Sequence, residues 1–513
     1  MVEPSPAPVA QGSDFPLEPT PPPRKVSAPQ PPARPASPPA LRGGRPTVPP
    51  STQARPRVAP PASAVERPRR RYHLGLDWGT SSIKMILRDY GAPGLPSGLA
   101  LVLEPEQRGL RYPSTVTLVD GRLYFGWQAE ARRSAKGARV WDSIKAQAGA
   151  RAGWAVPAGS SGVLLRDMVA LTLAHGISLG FGFATRHADA MKAAAIMGVS
   201  VGAPEADLEV HSEEYLAASQ VAYRLAMKGG FDPQGERLDR CMEALRGVRT
   251  QILPGMDTSA ETRRRWLRSE VAAAMMWVYE SPRIGEGAYT VVDIGAATTN
   301  ASYFRIHGVN DADGVYRTKA AISFFGAESR PPGMDELGKA LAQARGFGET
   351  PVQLRGQEKP LYASLAGHRD VKVVTEAIHE TWAQARRNAW PRSNTLTHWD
   401  GLRYLVVGGG STVPPLVERF VEPPGYFKGK IKGYNALHDP GRPRDLRSFP
   451  DQRPGSTPPH FTQPHTFLLV AYGLSFHPGD LPDISLPGEV PRFRREEFRR
   501  KLATSEELGY AQK

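Results

Sequence analysis

From the N-terminus, apolar residues show no regular spacing until residue 72. From His73 to Leu87, the apolar residues Leu74, Leu76, Ile83, Met85 and Leu87 alternate with polar positions around a Gly-rich turn, the period-two pattern of a β-hairpin. Tyr289 to Asp293 is an apolar strand ending in a carboxylate, followed by a turn of small residues and a second strand through Tyr303 and Phe304. Tyr404 to Val407 is an apolar strand that runs into Gly408, Gly409, Gly410 and Ser411, then into a helix carrying Leu416, Val417 and Phe420. Between these runs, Glu213 to Met227, Glu261 to Tyr279 and Val371 to Trp390 read as helices. Strands interleaved with helices predict an α/β fold.

Residues 1–70 hold 21 of the 50 prolines and form a Pro-rich leader, expected to be disordered because it has nothing to bury. The pattern places one folded region at 71–480 and a charged tail at 481–513. Lys plus Arg exceed Asp plus Glu by 65 − 51 = 14, but residues 1–71 carry 11 basic and 4 acidic side chains, so half the excess belongs to the leader. A basic nucleic-acid face is therefore not expected, and the charged run from Arg492 to Lys501 reads as a solvated helix face. The single cysteine, Cys241, excludes an internal disulfide. With no run of 18 apolar residues and no export signal, a cytoplasmic protein without a transmembrane segment is expected. Trp266, Trp277 and Trp382 read as packing residues, and His460 and His465 as solvated.

The candidate chemistry lies in the turns. Gly75-Leu76-Asp77-Trp78-Gly79-Thr80-Ser81-Ser82 puts a carboxylate at a strand end, then glycine and hydroxyl residues. Such a turn can wrap a phosphate: glycine admits close backbone approach, N–H and O–H groups donate, and the aspartate holds a hydrated divalent cation. Alone it is an ordinary hairpin. Asp293-Ile294-Gly295-Ala296-Ala297-Thr298-Thr299-Asn300 repeats the logic 293 − 77 = 216 residues later, as a site that grips one polyphosphate from both sides requires. The Gly408–Ser411 turn lacks a carboxylate and suits the nucleoside end of such a ligand at a helix N-terminus.

In this order the three segments resemble the phosphate-1, phosphate-2 and adenosine motifs of the actin-like ATPase superfamily, closest to the nucleotide-binding domain of the heat shock protein 70 chaperone family. Val406 to Pro414 is similar to that family's adenosine motif, and Val470-Ala471-Tyr472-Gly473 to its closing helix. Tyr112-Pro113-Ser114, Phe125-Gly126 and Trp141 to Lys145 with Gly149 resemble the segment bearing a catalytic lysine, and Ser269-Glu270 with the following alanines the segment bearing a glutamate behind the metal. The resemblance implies an actin-like, ribonuclease H-like two-lobed ATPase fold, with a first lobe at about 71–288, a second at about 289–465, a closing helix at about 466–478 and a nucleotide cleft between the lobes, taking ATP or ADP with Mg²⁺. It implies that Asp77 and Asp293 hold the metal's waters and that Lys145 and Asp293 act on the attacking water, with Glu270 behind the metal. Gly79, Thr80, Ser81, Gly295, Ala296 and Thr298 would meet phosphates, and Gly408, Gly409, Gly410 and Ser411 the nucleoside end.

Three departures bear on turnover: Ala296 and Ala297 stand where the family has glycines, and Asn300 where it has a carboxylate. Slow hydrolysis, or binding without it, is the expectation. Only 513 − 473 = 40 residues follow Gly473, too few for the family's peptide-binding domain, so a nucleotide-dependent switch acting on an unidentified protein partner is expected. A filament-forming cytoskeletal or division protein and a nucleotide-binding scaffold without activity are the alternatives. A small-molecule kinase of the superfamily is disfavoured by the lack of a further candidate base.

Overall fold

The computed structural model describes residues 71–485 except 92–96, 102, 104–108, 150–153, 159–161, 188–194, 228–230, 281–285, 308–320, 347–357, 394–398, 423–429, 437–444 and 449–464. The Pro-rich leader, His460 and the basic run at 492–501 lie outside the described residues. All described residues belong to one unit, Glu66–Lys513.

The first hairpin pairs β1 (Arg71–Trp78) with β2 (Ser82–Asp89), antiparallel, Asp77 opposite Lys84. Because successive side chains point to opposite faces, Tyr72, Leu74, Leu76 and Trp78 enter one core with Ile83, Met85 and Leu87. His73, Gly75 and Asp77 take the other face of β1, as Lys84, Ile86 and Arg88 do on β2. Both faces are covered, so β1 is buried almost throughout. The second hairpin, β10 (Gly287–Ile294) with β11 (Thr299–Ile306), repeats the arrangement. Ala288, Val292 and Ile294 enter an outer core, while Tyr289 and Val291 face a middle one. Asp293 shares the parity of Tyr289 and Val291.

Around these hairpins the sheets are built alike. The first runs β15 (Leu446–Ser448), β3 (Ser97–Ala100), β2, β1, β8 (Ala195–Ala203), β9 (Leu267–Ser269), with β4 (Tyr112–Pro113) added on β2. The second runs β16 (Asp483–Ser485), β12 (Ala321–Arg330), β11, β10, β13 (Arg403–Gly408), β14 (Asn435–Ala436). In both, successive neighbours pair parallel, antiparallel, antiparallel, parallel, parallel. A small third sheet joins β5 (Val116–Val119), β6 (Arg122–Phe125) and β7 (Arg139–Trp141) and leads into the helix Ile144–Gly149. Two strands cross the lobe boundaries expected from the sequence: β15, at 446–448, completes the first sheet, and β16, at 483–485, the second.

Helices cover the outer faces. Leu165–His187 packs on β1, β2 and β8. Among the described residues, its segment Leu165–Arg186 is long and apolar enough to cross a membrane, yet Met168 to Ala174 and Ile177 are buried in the outer core, as befits a central helix of a layered protein. Arg369–Ala389 covers the second sheet, and its buried Trp382 donates from the indole N–H to Thr290 at 3.1 Å. Between the sheets two helices cross, Glu270–Glu280 and Leu469–Leu474. A Cβ at Gly473 would overlap the Ala273 carbonyl, and one at Gly75 the Ala471 carbonyl, so glycine is what lets these backbones meet. The layering is thus mixed α/β, with helices outside, between and outside two sheets.

Trp277 and Trp382 are core residues, and Trp266 packs edge-on against Tyr223 at 5.3 Å. Some helix expectations are corrected. The run from Glu261 to Tyr279 is broken: the helix Ala260–Trp266 gives way to β9, and a new helix starts at Glu270. Pairing with β8 claims 267–269 for the sheet, while the buried Arg268 guanidinium donates to the carbonyls of Gly473 at 2.8 Å and Phe476 at 2.6 Å. Those tertiary bonds outweigh the helical propensity of Leu267 and Arg268, while the alanine run at 272–274 stays helical. The helix expected over Glu213 to Met227 is formed, joined to a short stretch from Glu205 across a kink at His211, where the backbone leaves helical geometry (φ −122°, ψ 22°), whereas the closing helix is a 3₁₀ turn, His465–Leu468, followed by only Leu469–Leu474.

Candidate functional site

The strand parity that buries Leu74 and Leu76 on one face of β1 sends Asp77 to the other, and the same rule sends Asp293 inward from β10. Both line a cavity of about 800 Å³. The first turn is held by its own backbone: Gly79 N–H donates to the Ser82 carbonyl at 3.0 Å. Ser114, just past β4, ties it from outside, donating its N–H to the Ser81 carbonyl at 3.1 Å and its hydroxyl to the Gly79 carbonyl at 2.6 Å. In the second turn Gly295 N–H donates to the Thr298 carbonyl at 2.9 Å. The carbonyls of Gly295 and Ala296 accept from the N–H groups of Met334 and Asp335 at 2.9 and 2.8 Å, which fixes the helix Met334–Arg345 beneath the turn.

At the third turn β13 ends in Gly408 with φ +76°, and a Cβ there would overlap the Asp293 carboxylate, so only glycine fits. The expected helix N-terminus is not formed: Gly409–Thr412 is a 3₁₀ turn, followed by a single helical turn, Pro414–Val417. The Ser411 hydroxyl donates to the Gly408 carbonyl at 2.7 Å. Gly410 packs against Ile294, and neither Gly410 nor Ser411 lines the cavity, where Thr412 does. Pro414 opens that helical turn, where its missing N–H is tolerated, and holds Val413 before it in an extended conformation, so the helix cannot begin earlier.

The remaining expected site residues converge on the cavity: Asp77, Lys145, Glu270 and Asp293 with Gly79, Thr80, Ser81, Gly295, Ala296, Thr298, Gly408 and Gly409. Lys145, from the helix Ile144–Gly149, is buried in an ion pair with Glu270, the first residue of Glu270–Glu280. Burial pushes the Glu270 carboxyl above its ordinary value against the pull of Lys145. Burial, with the nearby charges of Glu270 and Asp77, raises Asp293 to about 6 although Lys84 opposes it. Its carboxylate has no hydrogen bond or ion pair among the described residues.

Sequence reasoning missed four charged residues of the described lining, Lys84, Asp207, Arg111 and Asp335, the last in the first turn of the helix Met334–Arg345. Lys84 forms an ion pair with Asp77 and stands 4.9 Å from the Phe467 ring centroid; burial would lower its ammonium, but Asp77, Asp293 and Glu270 hold it above its ordinary value. Its signal was readable: in a hairpin turning at 79–81, positions 77 and 84 face each other. Asp207, from the helix Glu205–Met227, accepts from the Tyr215 hydroxyl at 3.2 Å and is raised by burial. Arg111 stands just before β4. Nothing local in the sequence marks either one.

Among the described residues three basic and five acidic side chains line the cavity, so a polyphosphate would need added positive charge. A divalent cation fits that need, given the unpaired Asp293 with its raised pKa beside Asp77 and Glu270. Among the described residues no group of three His, Cys, Asp or Glu side chains is gathered to chelate a metal directly. Asp77 and Asp293 are the carboxylates that could hold such a cation through its waters. No family model matches the sequence, and no curated protein matches it.

Proposed function

We propose that the chain binds ATP with Mg²⁺ between its two sheets as an actin-like ATPase of the heat shock protein 70 type, hydrolyses it slowly, and uses the nucleotide state to switch a partner protein. The observation that carries this reading is the duplication: two sheets of identical strand order and sense each end their first strand in Asp-x-Gly, and both aspartates line one cavity.

Phosphoryl transfer to water asks mainly for positioning and charge neutralisation. Asp77 and Asp293 would hold the waters of Mg²⁺, which neutralises phosphate charge when bound. The backbone N–H groups and hydroxyls of Thr80, Ser81 and Thr298 are available to phosphate oxygens. Lys145 is tied to Glu270, so to steady the attacking water or a phosphate it exchanges part of that pairing. Asp293, whose carboxylate has no hydrogen bond or ion pair among the described residues, would be the group to orient that water or accept its proton. Lobe closure about the two crossed helices would carry the nucleotide state outward.

A second reading, binding without turnover, is favoured by Asn300, whose side-chain oxygen is engaged by the Ser329 hydroxyl at 2.5 Å where the family has a charge. Calorimetric titration of the full chain with ATP and ADP, with and without Mg²⁺, together with phosphate release, tests both. Metal-dependent binding in the micromolar range with slow release is expected, and binding without release selects the second reading. No binding at millimolar nucleotide would sink the proposal.

A further inference from the structure

Among the described residues three cationic side chains line the cavity, and two are already engaged, Lys84 with Asp77 and Lys145 with Glu270. The third, Arg111, is exposed, lines the same space and has no hydrogen bond or ion pair among the described residues, although five carboxylates share that lining. A guanidinium carries five donors and a fixed charge, so one left unengaged beside the cavity is available to an anion.

The next three residues fix its position. Tyr112 and Pro113 pair with Ile83 and Ser82 of β2, and Ser114 donates twice to the first turn. The backbone at 112–114 is thus clamped to the Gly79–Ser82 turn, and Arg111 enters the cavity from that side, away from the Gly408 turn on the second sheet. A ligand whose nucleoside end lies toward Gly408 presents its outermost phosphate toward the first turn.

Resting on the nucleotide reading above, we infer that Arg111 binds the terminal phosphate of a nucleoside triphosphate and so sets the preference for triphosphate over diphosphate. It is the one cation in the described lining that can engage a phosphate without first breaking an ion pair. A planar guanidinium suits two oxygens of one phosphate. A diphosphate, shorter by one group, leaves Arg111 as unengaged as it is now.

The test is calorimetric titration of the full chain and its Arg111→Ala and Arg111→Lys variants with MgATP and MgADP. Arg111→Ala should weaken MgATP by about ten- to a hundred-fold, the range for losing a charge-assisted hydrogen bond pair, and MgADP by less than about three-fold. Arg111→Lys, keeping the charge but not the fork, should fall between. Because Arg111 has no bond within the described fold, the melting temperature should not move, and if the alanine variant fails to fold the lysine variant carries the same comparison. Equal losses for the two nucleotides, or none, overturn the inference while leaving the nucleotide reading intact. Failure of the wild-type chain to bind either nucleotide overturns both.

Discussion

Lys145→Met should destabilise the fold, and the size of the loss is set by what it leaves behind. In the Lys145–Glu270 pair the side chains are only 6% and 9% exposed, so methionine fills the lysine's space but strands a buried carboxylate beside Asp77. Removing one member of a buried pair costs about 3–5 kcal/mol, whereas replacing both is far milder. Glu270→Gln should cost a comparable amount by stranding the ammonium, and the double variant Lys145→Met/Glu270→Gln should be more stable than either single one, with a coupling of about 2–3 kcal/mol. The pH dependence has a definite sign. Glu270 is already raised by burial with Lys145 opposing, so without the lysine it rises further. A carboxyl raised in the folded state is fully accommodated below its unfolded value and costs stability as pH climbs through the folded one. The deficit of Lys145→Met relative to wild type should therefore be larger at pH 8 than at pH 5. Urea unfolding of the four proteins at both pH values measures all of this. Additive single effects, together with a pH-independent deficit, would refute the buried pair.

Three further expectations concern the cavity and the sheet beneath it. Asp293 is raised to about 6 from 3.8, so its ionisation costs stability as pH rises through that value; Asp293→Asn should raise the urea midpoint more at pH 8 than at pH 5 while weakening Mg²⁺-dependent ATP binding at least ten-fold by calorimetry. Gly408→Ala must adopt φ +76° with ψ −168°, a region essentially reserved for glycine, at a cost of about 1–3 kcal/mol and push against the Asp293 carboxylate, so it should lower the melting temperature by a few degrees and nucleotide affinity by more than ten-fold. His73 is held well below 6.5, first by burial and then by Arg268, with its Nε2 2.9 Å from the Ser200 hydroxyl. The unfolded chain then binds the extra proton, stability is full above about 6.5 and is lost as pH falls below it; a His73→Gln variant should show a flatter decline between pH 7 and pH 5 in thermal melts.

How much of the molecule is legible in its sequence depends on how local each signal is. The two Asp-x-Gly hairpins were legible because a strand's parity and its turn lie within fifteen residues, and their likeness to each other was visible at a separation of 216 residues. The identity of the sheets around them was not, since β8, β13 and the edge strands join through pairings invisible in a linear pattern. β9 was hidden inside an apparent helix because three residues joining an edge leave almost no periodic trace. Gly410 and Ser411 were expected at the ligand because glycines and a hydroxyl are suited to phosphate, but Ile294 and the Gly408 carbonyl occupy them instead. Lys84 reads along the chain as the polar half of an alternation, although the hairpin's symmetry about 79–81 pairs it with Asp77. Lys145 is identified by its motif, while its burial against Glu270 depends on a contact 125 residues away.

The helix Leu469–Leu474 has six residues, far short of the length at which an isolated helix is stable in water. It exists because Ala273 and Gly75 receive it and because Arg268 holds the carbonyls at and beyond its end. Two residues before it, Phe467 lines the cavity beneath the Lys84 ammonium. Amide protons of this short segment should thus act as a strain gauge. Their exchange with deuterium reads how firmly the two halves of the molecule are held together, and a ligand that drew Lys84 toward it would register there as a change in protection.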